Sequence, residues 1–401
     1  MTFSPTKTNL KGLTIKELGD LAVAAGEESY RGRQLFYWLY NRGATTFDEM
    51  TDLPKRFRER LTDVASLDSL QVLDKRVSPL DGTTKYLFEL QDGSKIESVL
   101  ILPSPVLKGE KKRLTLCIST QVGCPLDCKF CATGTMGFTR NLTPGEIVDQ
   151  VIHVRRESPR KITNIVYMGM GEPLMNYDAV MKSVEILSTE YSVGISAKRM
   201  TISTAGWAEN IYRMADEQRK VKLAVSLHTL DDKLRTKLMP LNRKYNIEKL
   251  IEAVRYYYEK TKQRVTYEYI VLEGLNDSDE DVRRLVSLSK KVPCKVNLIP
   301  FHPIDFTQPD KHGLAGQPDK SGIAATLRPT SPDRLEQFVE KLRNARVTVM
   351  VRSSAGKDIE AACGQLAVKN RGKGTQLSRE TRDSLQRTPL QAREMATQKP
   401  P

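Results

Sequence analysis

The chain has 401 residues, of which 39% are hydrophobic and 28% are charged, so it can bury a sizeable core and is neither fibrous nor disordered as a whole. It is too long for one small module and suits a catalytic domain of roughly 250 residues with smaller parts attached. Lys and Arg outnumber Asp and Glu by 63 to 49, and the resulting formal charge of +14 attracts nucleic-acid phosphates, although it serves solubility equally well.

Residues 1–105 have the pattern of a separate accessory module. Thr14 and Glu17 have the spacing of a capping box, so a helix is expected to begin there. A second helix is expected around Trp38, and a third begins near Pro54, because proline is favoured in the first turn of a helix. Two alternating runs follow, separated by a Gln-Asp-Gly turn, and they predict a β-hairpin.

Basic residues are interleaved with the aromatic side chains of these helices, at Arg31, Arg33, Arg42, Lys55, Arg56, Arg58 and Arg60. Each of them taken alone is most simply part of a solvated helix face. As a group they can form an RNA-docking surface.

From about Arg113 onwards, apolar β-branched runs alternate with amphipathic segments of helical length, which is typical of parallel βα units. Strands are expected at residues 114–119, 162–168, 199–204, 221–227, 265–272 and 295–300, with a seventh at 347–351. Helices are expected at residues 143–155, 179–190, 247–260, 280–290 and 332–344. The fold class is therefore α/β, a partial (β/α)6 barrel of the TIM type with a small helical and β accessory domain at its N-terminus.

Two segments fall outside this pattern. Residues 303–332 are rich in Pro, Gly, Asp and Lys and are expected to form a long excursion loop. Residues 367–401 have eight basic side chains against three acidic ones and few apolar side chains, so we expect a disordered tail with some affinity for RNA. The predicted domains are thus residues 1–105, a core at residues 106–366, and the tail.

Cys124, Cys128 and Cys131 lie close together, directly after the first predicted barrel strand. The chain lacks a run of about 18 apolar residues and a secretion signal, so a cytoplasmic location without membrane contact is expected. In that reducing compartment such tight spacing indicates metal binding before disulfides. Three thiolates leave one iron of a four-iron cluster free for a chelating ligand. A structural zinc site that recruits His228 or His302 is the alternative.

The segment from Cys117 to Phe138 resembles the radical S-adenosylmethionine (SAM) enzymes of the RlmN family and their relative Cfr, in which a cysteine precedes the cluster loop by seven residues. The C-x3-C-x2-C spacing of the loop is the radical SAM signature, and the similarity extends from about Leu10 to Leu366. The resemblance implies one 4Fe-4S cluster on the three loop cysteines and two SAM molecules per turnover. It also implies methylation of carbon 2 of adenosine in 23S ribosomal RNA and in transfer RNA.

The resemblance further implies SAM contacts at the carboxyl ends of the barrel strands, where the chemistry of such barrels takes place. The matching positions are Gly171, Glu172, Ser203, Ser226, Leu227, His228 and Asn297. Each of these residues taken alone is common in turns, but together they are expected at one edge of the barrel, where the carboxyl ends of its strands meet. Glycines in the segment from Gly169 to Pro173 let the backbone approach a ligand, and Glu172 is expected to receive the SAM ammonium group.

Two further cysteines match reactive positions of the family. Cys363 matches the cysteine that takes a methyl group from one SAM, before a second SAM provides a 5′-deoxyadenosyl radical. Cys117 matches the partner thiol, which removes the proton from carbon 2 and closes a transient disulfide with Cys363. Glu97 matches a proton acceptor of the family, with a strand-surface carboxylate as its alternative role. Cys294 has no such context and is expected in the core.

Several alternatives stay open from the sequence. Pro173 favours carbon 2, since Cfr, which methylates carbon 8, typically has alanine there; a Cfr-like activity is the nearest alternative. His302 stands where the family has asparagine. Other classes are a radical SAM enzyme with a non-RNA substrate and a non-catalytic RNA-binding protein with a structural metal. The resemblance also implies a monomer that receives electrons from a donor such as flavodoxin or ferredoxin.

Overall fold

The structure is a computed structural model that describes residues 7–103, 113–304, 322–352 and 354–368. Residues Met1–Val368 form one compact unit. The predicted basic tail lies outside the described residues from Lys369 onwards, as do residues 305–321 of the predicted excursion loop. No helix among the described residues is long and apolar enough to cross a membrane.

In the described part of the chain, the strands are β1 (Thr8–Asn9), β2 (Ala65–Ser66), β3 (Gln71–Val77), β4 (Thr84–Glu89), β5 (Lys95–Ile101), β6 (Thr115–Cys117), β7 (Gln121–Gly123), β8 (Phe138–Asn141), β9 (Asn164–Tyr167), β10 (Met200–Thr204), β11 (Lys222–Ser226), β12 (Val265–Val271), β13 (Cys294–Pro300) and β14 (Val349–Val351). The α-helices are α1 (Ile15–Ala24), α2 (Arg31–Tyr37), α3 (Lys55–Val64), α4 (Ala132–Thr135), α5 (Pro144–Glu157), α6 (Tyr177–Ser188), α7 (Ala208–Asp216), α8 (Asp232–Leu238), α9 (Ile247–Thr261), α10 (Asp279–Lys291) and α11 (Pro332–Asn344).

A sheet of ten strands forms the centre of this unit, in the order β14-β13-β12-β11-β10-β9-β6-β5-β4-β3. Neighbours from β14 to β6 pair in parallel, whereas β5, β4 and β3 are antiparallel to their neighbours. The predicted partial barrel is confirmed, and every predicted core strand is present with its ends within two residues. The antiparallel strands of the N-terminal region extend the same sheet; the domain division at residue 105 stays a prediction.

The sequence analysis missed several short elements. The helices α7 and α8 were not predicted, because a seven- or nine-residue helix repeats its apolar face too few times to show a period. The strand β3 has charged residues along an exposed edge, and the hairpin of β7 and β8 has strands of three and four residues. Short length thus removes the signal by which strands and helices are recognised.

The first and third helices of the N-terminal module begin where the sequence predicts, at Ile15 and Lys55. Thr14 Oγ1 accepts a hydrogen bond from the Glu17 amide, and Glu17 Oε2 accepts one from the Thr14 amide at 2.7 Å, which completes the capping box. The helix α2 continues into one π-helical turn that ends at Gly43, whose φ of 70° suits glycine. RNA docking on this module stays a prediction.

A buried ion pair attaches the N-terminal module to α5. Lys11 Nζ lies 2.6 Å from Asp149 Oδ1, and the Asp149 carboxylate also accepts hydrogen bonds from Ser69 Oγ at 2.8 Å and from the Leu70 amide at 2.9 Å. Both charged side chains are almost inaccessible, at 6% and 2% exposure. Burial alone would raise the pKa of Asp149, but Lys11 and His153 outweigh burial and hold that pKa well below its usual value.

We expect Asp149→Ala to lower the free energy of unfolding by about 3 to 5 kcal/mol, because it leaves the Lys11 ammonium buried without its partner. The folded-state pKa of Asp149 is depressed, so its stabilisation is present above about pH 4, the unfolded value. It is lost as the pH falls through the folded value. Urea unfolding of both proteins at neutral and acidic pH measures the two effects.

The matched control for this prediction is Asp20→Ala. Asp20 Oδ2 lies 2.7 Å from Lys16 Nζ, but this pair is solvent-exposed, so its loss should change stability little. An equal loss of stability in the two variants would contradict the assigned role of the buried pair.

Candidate active site

One face of the central sheet carries most of the polar side chains singled out from the sequence. Strand register places Cys117 opposite Val99 and Val166, and Ser226 opposite Glu268, which in turn lies opposite Asn297. Since side chains alternate along a strand, residues directly opposite each other and residues two apart share a face. This polar face holds Lys85, Glu97, Cys117, Ser203, Ser226, Glu268, Asn297 and Arg352.

The opposite face of the sheet is apolar and packs on the helices. Leu116, Ile165 and Ile202 are fully buried there. The Tyr167 hydroxyl bonds to Ser183 Oγ of α6 at 2.9 Å, and the Tyr269 ring stacks on Phe338 of α11. The helices thus cover the outside of the partial barrel, and the polar face lines its inside.

The loop with the three clustered cysteines connects β7 to β8. The Cys124 amide donates to the Gly137 carbonyl at 2.7 Å, and the Lys129 amide donates to the Leu238 carbonyl at 2.9 Å. Gly123 has a φ of 74°, and a Cβ atom there would lie 1.9 Å from the Gly137 oxygen. Only glycine fits at this point, so the start of the loop is fixed by backbone contacts.

The three thiols of the loop lie near one another. Burial raises the pKa of Cys124 to about 12, and burial followed by the charges of Cys124 and Cys131 raises the pKa of Cys128 well above its usual value. No group of three or more His, Cys, Asp or Glu side chains in the described ranges converges on a single metal ion. Each iron of a four-iron cluster takes its own thiolate, so its ligands do not share one metal ion. Three cysteine thiolates are the donors that hold three irons of a four-iron cluster and leave the fourth iron open to a chelating ligand.

The segment that carries Cys363 lies on the cluster loop. We call residues 356–366 the Cys363 segment. The Ala132 amide donates to the Gly364 carbonyl at 2.7 Å, and Thr133 Oγ1 donates to the Leu366 carbonyl at 2.6 Å. A Cβ atom at Gly364 would lie 3.0 Å from the Phe130 oxygen, so glycine permits this close approach. The Cys363 segment is thereby held against the cysteine loop through its own backbone carbonyls.

Cys363 interacts electrostatically with both Cys131 and Cys117. Its charge raises the pKa of each of these thiols, after burial in both cases, and the pKa of Cys117 reaches about 12. Both Cys117 and Cys363 are free thiols, so no disulfide joins them in this structure. Cys294 is buried at the start of β13, as predicted. The Cys363 segment thus lies against the cluster loop, and Cys363 is close enough to Cys117 to interact with it electrostatically.

The glycine-rich segment after β9 packs tightly against β7, the strand that leads into the cysteine loop. A Cβ atom at Gly171, whose φ is 102°, would lie 2.5 Å from the Gln121 Cβ. Glu172 is buried, and its carboxylate accepts hydrogen bonds from the Leu174 amide at 3.0 Å and the Ala205 amide at 2.7 Å. Burial raises the pKa of Glu172 to about 7. Both carboxylate oxygens of Glu172 thus hold the loops that follow β9 and β10, and each oxygen retains a lone pair that can accept a hydrogen bond from a ligand.

The remaining predicted SAM contacts lie at different depths of the barrel. His228 has a φ of 59°, its Nδ1 accepts from the Ile270 amide at 3.0 Å, and its ring packs edge-on against Phe130 of the cluster loop. Burial lowers the pKa of His228 to about 3, so the ring is neutral. Leu227 is fully buried beside it. Asn297 lies within β13, before its end, and donates to Glu268 Oε1 at 3.1 Å.

Two family models match the chain. The Radical SAM superfamily model matches residues 118–286, and the model described as ribosomal RNA large subunit methyltransferase N-terminal domain matches residues 8–67. Two relatives named "Probable dual-specificity RNA methyltransferase RlmN" come from Salinibacter ruber and Christiangramia forsetii. The first is 43% identical over 90% of this chain and 94% of its own, and the second is 44% identical over 91% and 97%.

The chain belongs to the RlmN family. A crystal structure of a radical SAM methyltransferase from Sphaerobacter thermophilus agrees with this membership, with a TM-score of 0.79 and 43% identity over 90% of this chain and 99% of that one. The Radical SAM superfamily model covers the cluster loop, whereas the N-terminal model ends before β3. The antiparallel strands with Glu97 therefore lie between the two matched regions.

Sequence reasoning missed two charged residues of the polar face in this RlmN family member. Glu268 is 3% exposed within β12, and Arg352 Nη1 lies 3.9 Å from its Oε2. Arg352 also interacts with Cys363, Glu268 and Cys117, which raise the pKa of its guanidinium. A charge inside an apolar strand, as in Tyr-Glu-Tyr, was the available signal for Glu268, because an unpaired buried charge is costly.

A third missed residue, Arg235, supports the rim from within. It is 1% exposed, and its guanidinium donates to the carbonyls of Leu227 at 3.2 Å, Ser226 at 3.0 Å and Ala205 at 2.8 Å. The loops after β10 and β11 are therefore joined by one side chain. Its position in a short, charged helix gave no sign of this burial.

Proposed function

We propose that this chain is a radical SAM methyltransferase that methylates carbon 2 of adenosine in 23S ribosomal RNA and in transfer RNA. The methyl group passes through Cys363, and a covalent bond between protein and RNA forms on the way. We place this activity in the cytoplasm, with flavodoxin or ferredoxin as the class of electron donor and a monomer as the active form.

The observation that carries the proposal is the contact of the Cys363 segment with the cluster loop, where the Ala132 amide, next to Cys131, donates to the Gly364 carbonyl at 2.7 Å. The charge of Cys363 acts on two neighbouring thiols: one is a candidate cluster ligand, Cys131, and the other is the predicted partner thiol on the polar face, Cys117. A methyl carrier needs both neighbours, because it must reach the bound SAM and later the thiol that resolves the intermediate. A structural metal site has no need of two additional thiols.

A four-iron cluster on Cys124, Cys128 and Cys131 would leave one iron for SAM and supply the electron for its homolytic cleavage. Gly171, Glu172, Ser203, Ser226, Leu227, His228 and Asn297 would form the SAM pocket. Gly171 allows the backbone to pack against Gln121, where a Cβ atom would clash, and the neutral ring of His228 can hydrogen-bond without adding charge. The nucleophile in the first methyl transfer is the Cys363 thiolate.

Cys117 is assigned as the base that removes the proton from carbon 2, and Glu97 is assigned as a second proton acceptor. Burial raises the pKa of Cys117 and so disfavours its thiolate, whereas the Arg352 guanidinium lowers that pKa and favours the thiolate that would act as base. Glu97 lies on the same face as Cys117 and has a buried Oε2 without a hydrogen-bond partner among the described residues. Such an oxygen can accept a proton or hydrogen bond from a substrate.

The test is anaerobic reconstitution with iron and sulfide, followed by incubation with SAM, a reductant and RNA. We expect a brown protein that forms 5′-deoxyadenosine and places a methyl group on a ribosomal RNA fragment of the peptidyl-transferase centre and on a transfer RNA. Mass spectrometry of the digested RNA distinguishes 2-methyladenosine from 8-methyladenosine.

The control for this experiment is Cys128→Ala, which removes one of three proposed iron ligands and should lose iron and SAM cleavage together. Wild-type protein that binds no iron and cleaves no SAM would contradict the proposal. A product methylated at carbon 8 would contradict its assigned position on the base.

A further inference from the structure

A buried ion pair on the polar face contacts the Cys363 segment. Lys85 of β4 and Glu97 of β5 lie on neighbouring strands, with Lys85 Nζ 3.0 Å from Glu97 Oε1 and side chains only 7% and 6% exposed. Lys85 Nζ also donates to the Glu360 carbonyl at 3.1 Å. One ammonium group therefore joins the carboxylate to the backbone that leads to Cys363.

Other contacts hold the Cys363 segment, but they involve different groups. The Gly356 amide donates to Asp81 Oδ2 at 2.8 Å, and Ser78 Oγ donates to Asp358 Oδ1 at 2.9 Å. The contacts to α4 hold Gly364 and Leu366. None of these four contacts includes a side chain with a proposed part in the reaction, whereas the Lys85 contact does.

The pKa of Glu97 also depends on a residue that follows the Cys363 segment. Burial raises the pKa of Glu97, while Lys85 and the backbone amide of Ala367 lower it. The contact of the pair with the backbone before the methyl carrier is the Lys85 hydrogen bond to the Glu360 carbonyl at 3.1 Å. The second carboxylate oxygen of Glu97 has no partner in the described part of the chain and is left for a substrate.

We propose that Lys85 is a positioning residue, which couples the seating of the Cys363 segment to the orientation of the Glu97 carboxylate. The inference rests on the proposed function, because it takes Cys363 as the methyl carrier and Glu97 as a proton acceptor. When the segment is seated, Lys85 bonds to both groups and holds Oε1, so that Oε2 faces the site. When the segment moves, the ammonium loses one of its two acceptors and Glu97 is no longer held in that orientation.

The first measurement needs no RNA. In the reconstituted enzyme, the rate at which iodoacetamide alkylates Cys363 is followed by peptide mass spectrometry in wild type and in Lys85→Met. We expect alkylation to be about tenfold faster in the variant, because the seated segment has lost one charge-assisted hydrogen bond. Lys85→Gln, which keeps a polar end group, takes its place should Lys85→Met fail to fold.

The second measurement is turnover. Lys85→Met is expected to lower kcat for RNA methylation by on the order of tenfold to a hundredfold, because a catalytic group is misplaced. The KM for RNA should stay unchanged. Lys85→Arg should recover part of kcat. If Lys85 acts through Glu97, the double variant Lys85→Met/Glu97→Gln is no slower than Glu97→Gln alone, a result that general destabilisation does not give.

The matched control is Lys75→Met. Lys75 lies on the adjacent strand β3, and its Nζ is 2.7 Å from Glu157 Oε2 of α5, so it forms a similar ion pair away from the Cys363 segment. Both alkylation and kcat should stay at wild-type values. A Lys85→Met enzyme that matches wild type in alkylation and kcat overturns the inference. A wild-type enzyme that fails to methylate RNA contradicts the proposed function instead, and the alkylation rates still test the seating role of Lys85.

Discussion

Replacing Cys363 with alanine is expected to abolish RNA methylation while the protein still binds iron and still forms 5′-deoxyadenosine. Alanine has no sulfur to carry the methyl group, so methylation should fall by at least about a thousandfold. The Cys363 segment contacts the cluster loop through the carbonyls of Gly364 and Leu366, which the substitution leaves in place. Iron content, SAM cleavage and methylated RNA are measured on the same preparation.

Cys294→Ala is the matched control for this experiment. Cys294 is buried at the start of β13, and its backbone pairs with Val265. Removal of one buried sulfur there should cost some stability and leave methylation intact. If Cys363→Ala loses its iron as Cys128→Ala does, Cys363 is a cluster ligand and its assignment as methyl carrier is wrong.

Replacing Cys117 with alanine is expected to trap RNA covalently on the protein. The bond between the Cys363 sulfur and the base carbon through the methylene group forms without Cys117, but its release needs a second thiol to remove the proton and take up the Cys363 sulfur. Cys117 is assigned this step because it is close enough to Cys363 to interact with it electrostatically. A denaturing gel with labelled RNA detects the adduct.

The double variant Cys117→Ala/Cys363→Ala should form no adduct, since the attachment point is absent. Nuclease digestion and mass spectrometry of the trapped species should place the modification on the peptide that contains Cys363. Free methylated RNA released by Cys117→Ala at the wild-type rate would falsify the role of Cys117 as base and resolving thiol.

The parallel strands were predictable because they fall in segments rich in apolar and β-branched residues that alternate with amphipathic segments of helical length. The residues 265–272 were assigned almost without error, and β12 spans Val265–Val271. The strand β3 and the helix α8 were not predictable, because tertiary contacts rather than their own periodicity hold them. Arg235 in α8 shows this, since its three carbonyl partners lie outside the helix, at Ala205 after β10 and at Ser226 and Leu227 at the end of β11.

The cysteine positions could be predicted because their spacing is a direct requirement of the chemistry. The partners of those cysteines could not, since Lys85, Glu268 and Arg352 reach the site only through strand register. A lysine in an alternating run such as Thr-Lys-Tyr reads equally well as solvent-facing. The burial of Lys85 follows from the pairing of β4, β5 and β6 in one sheet, and the sequence of β4 alone does not indicate it.

The pairing of β5 with β6 links the two regions of the chain through a shared backbone ladder. A gene fragment that begins at residue 106 would lack the partner of β6 and leave that strand as a bare edge, open to association with other chains. It would also lack Lys85 and Glu97. A different module in place of residues 1–105 would therefore have to supply its own antiparallel strand to cover β6, so the N-terminal strands and the catalytic sheet constrain each other's replacement.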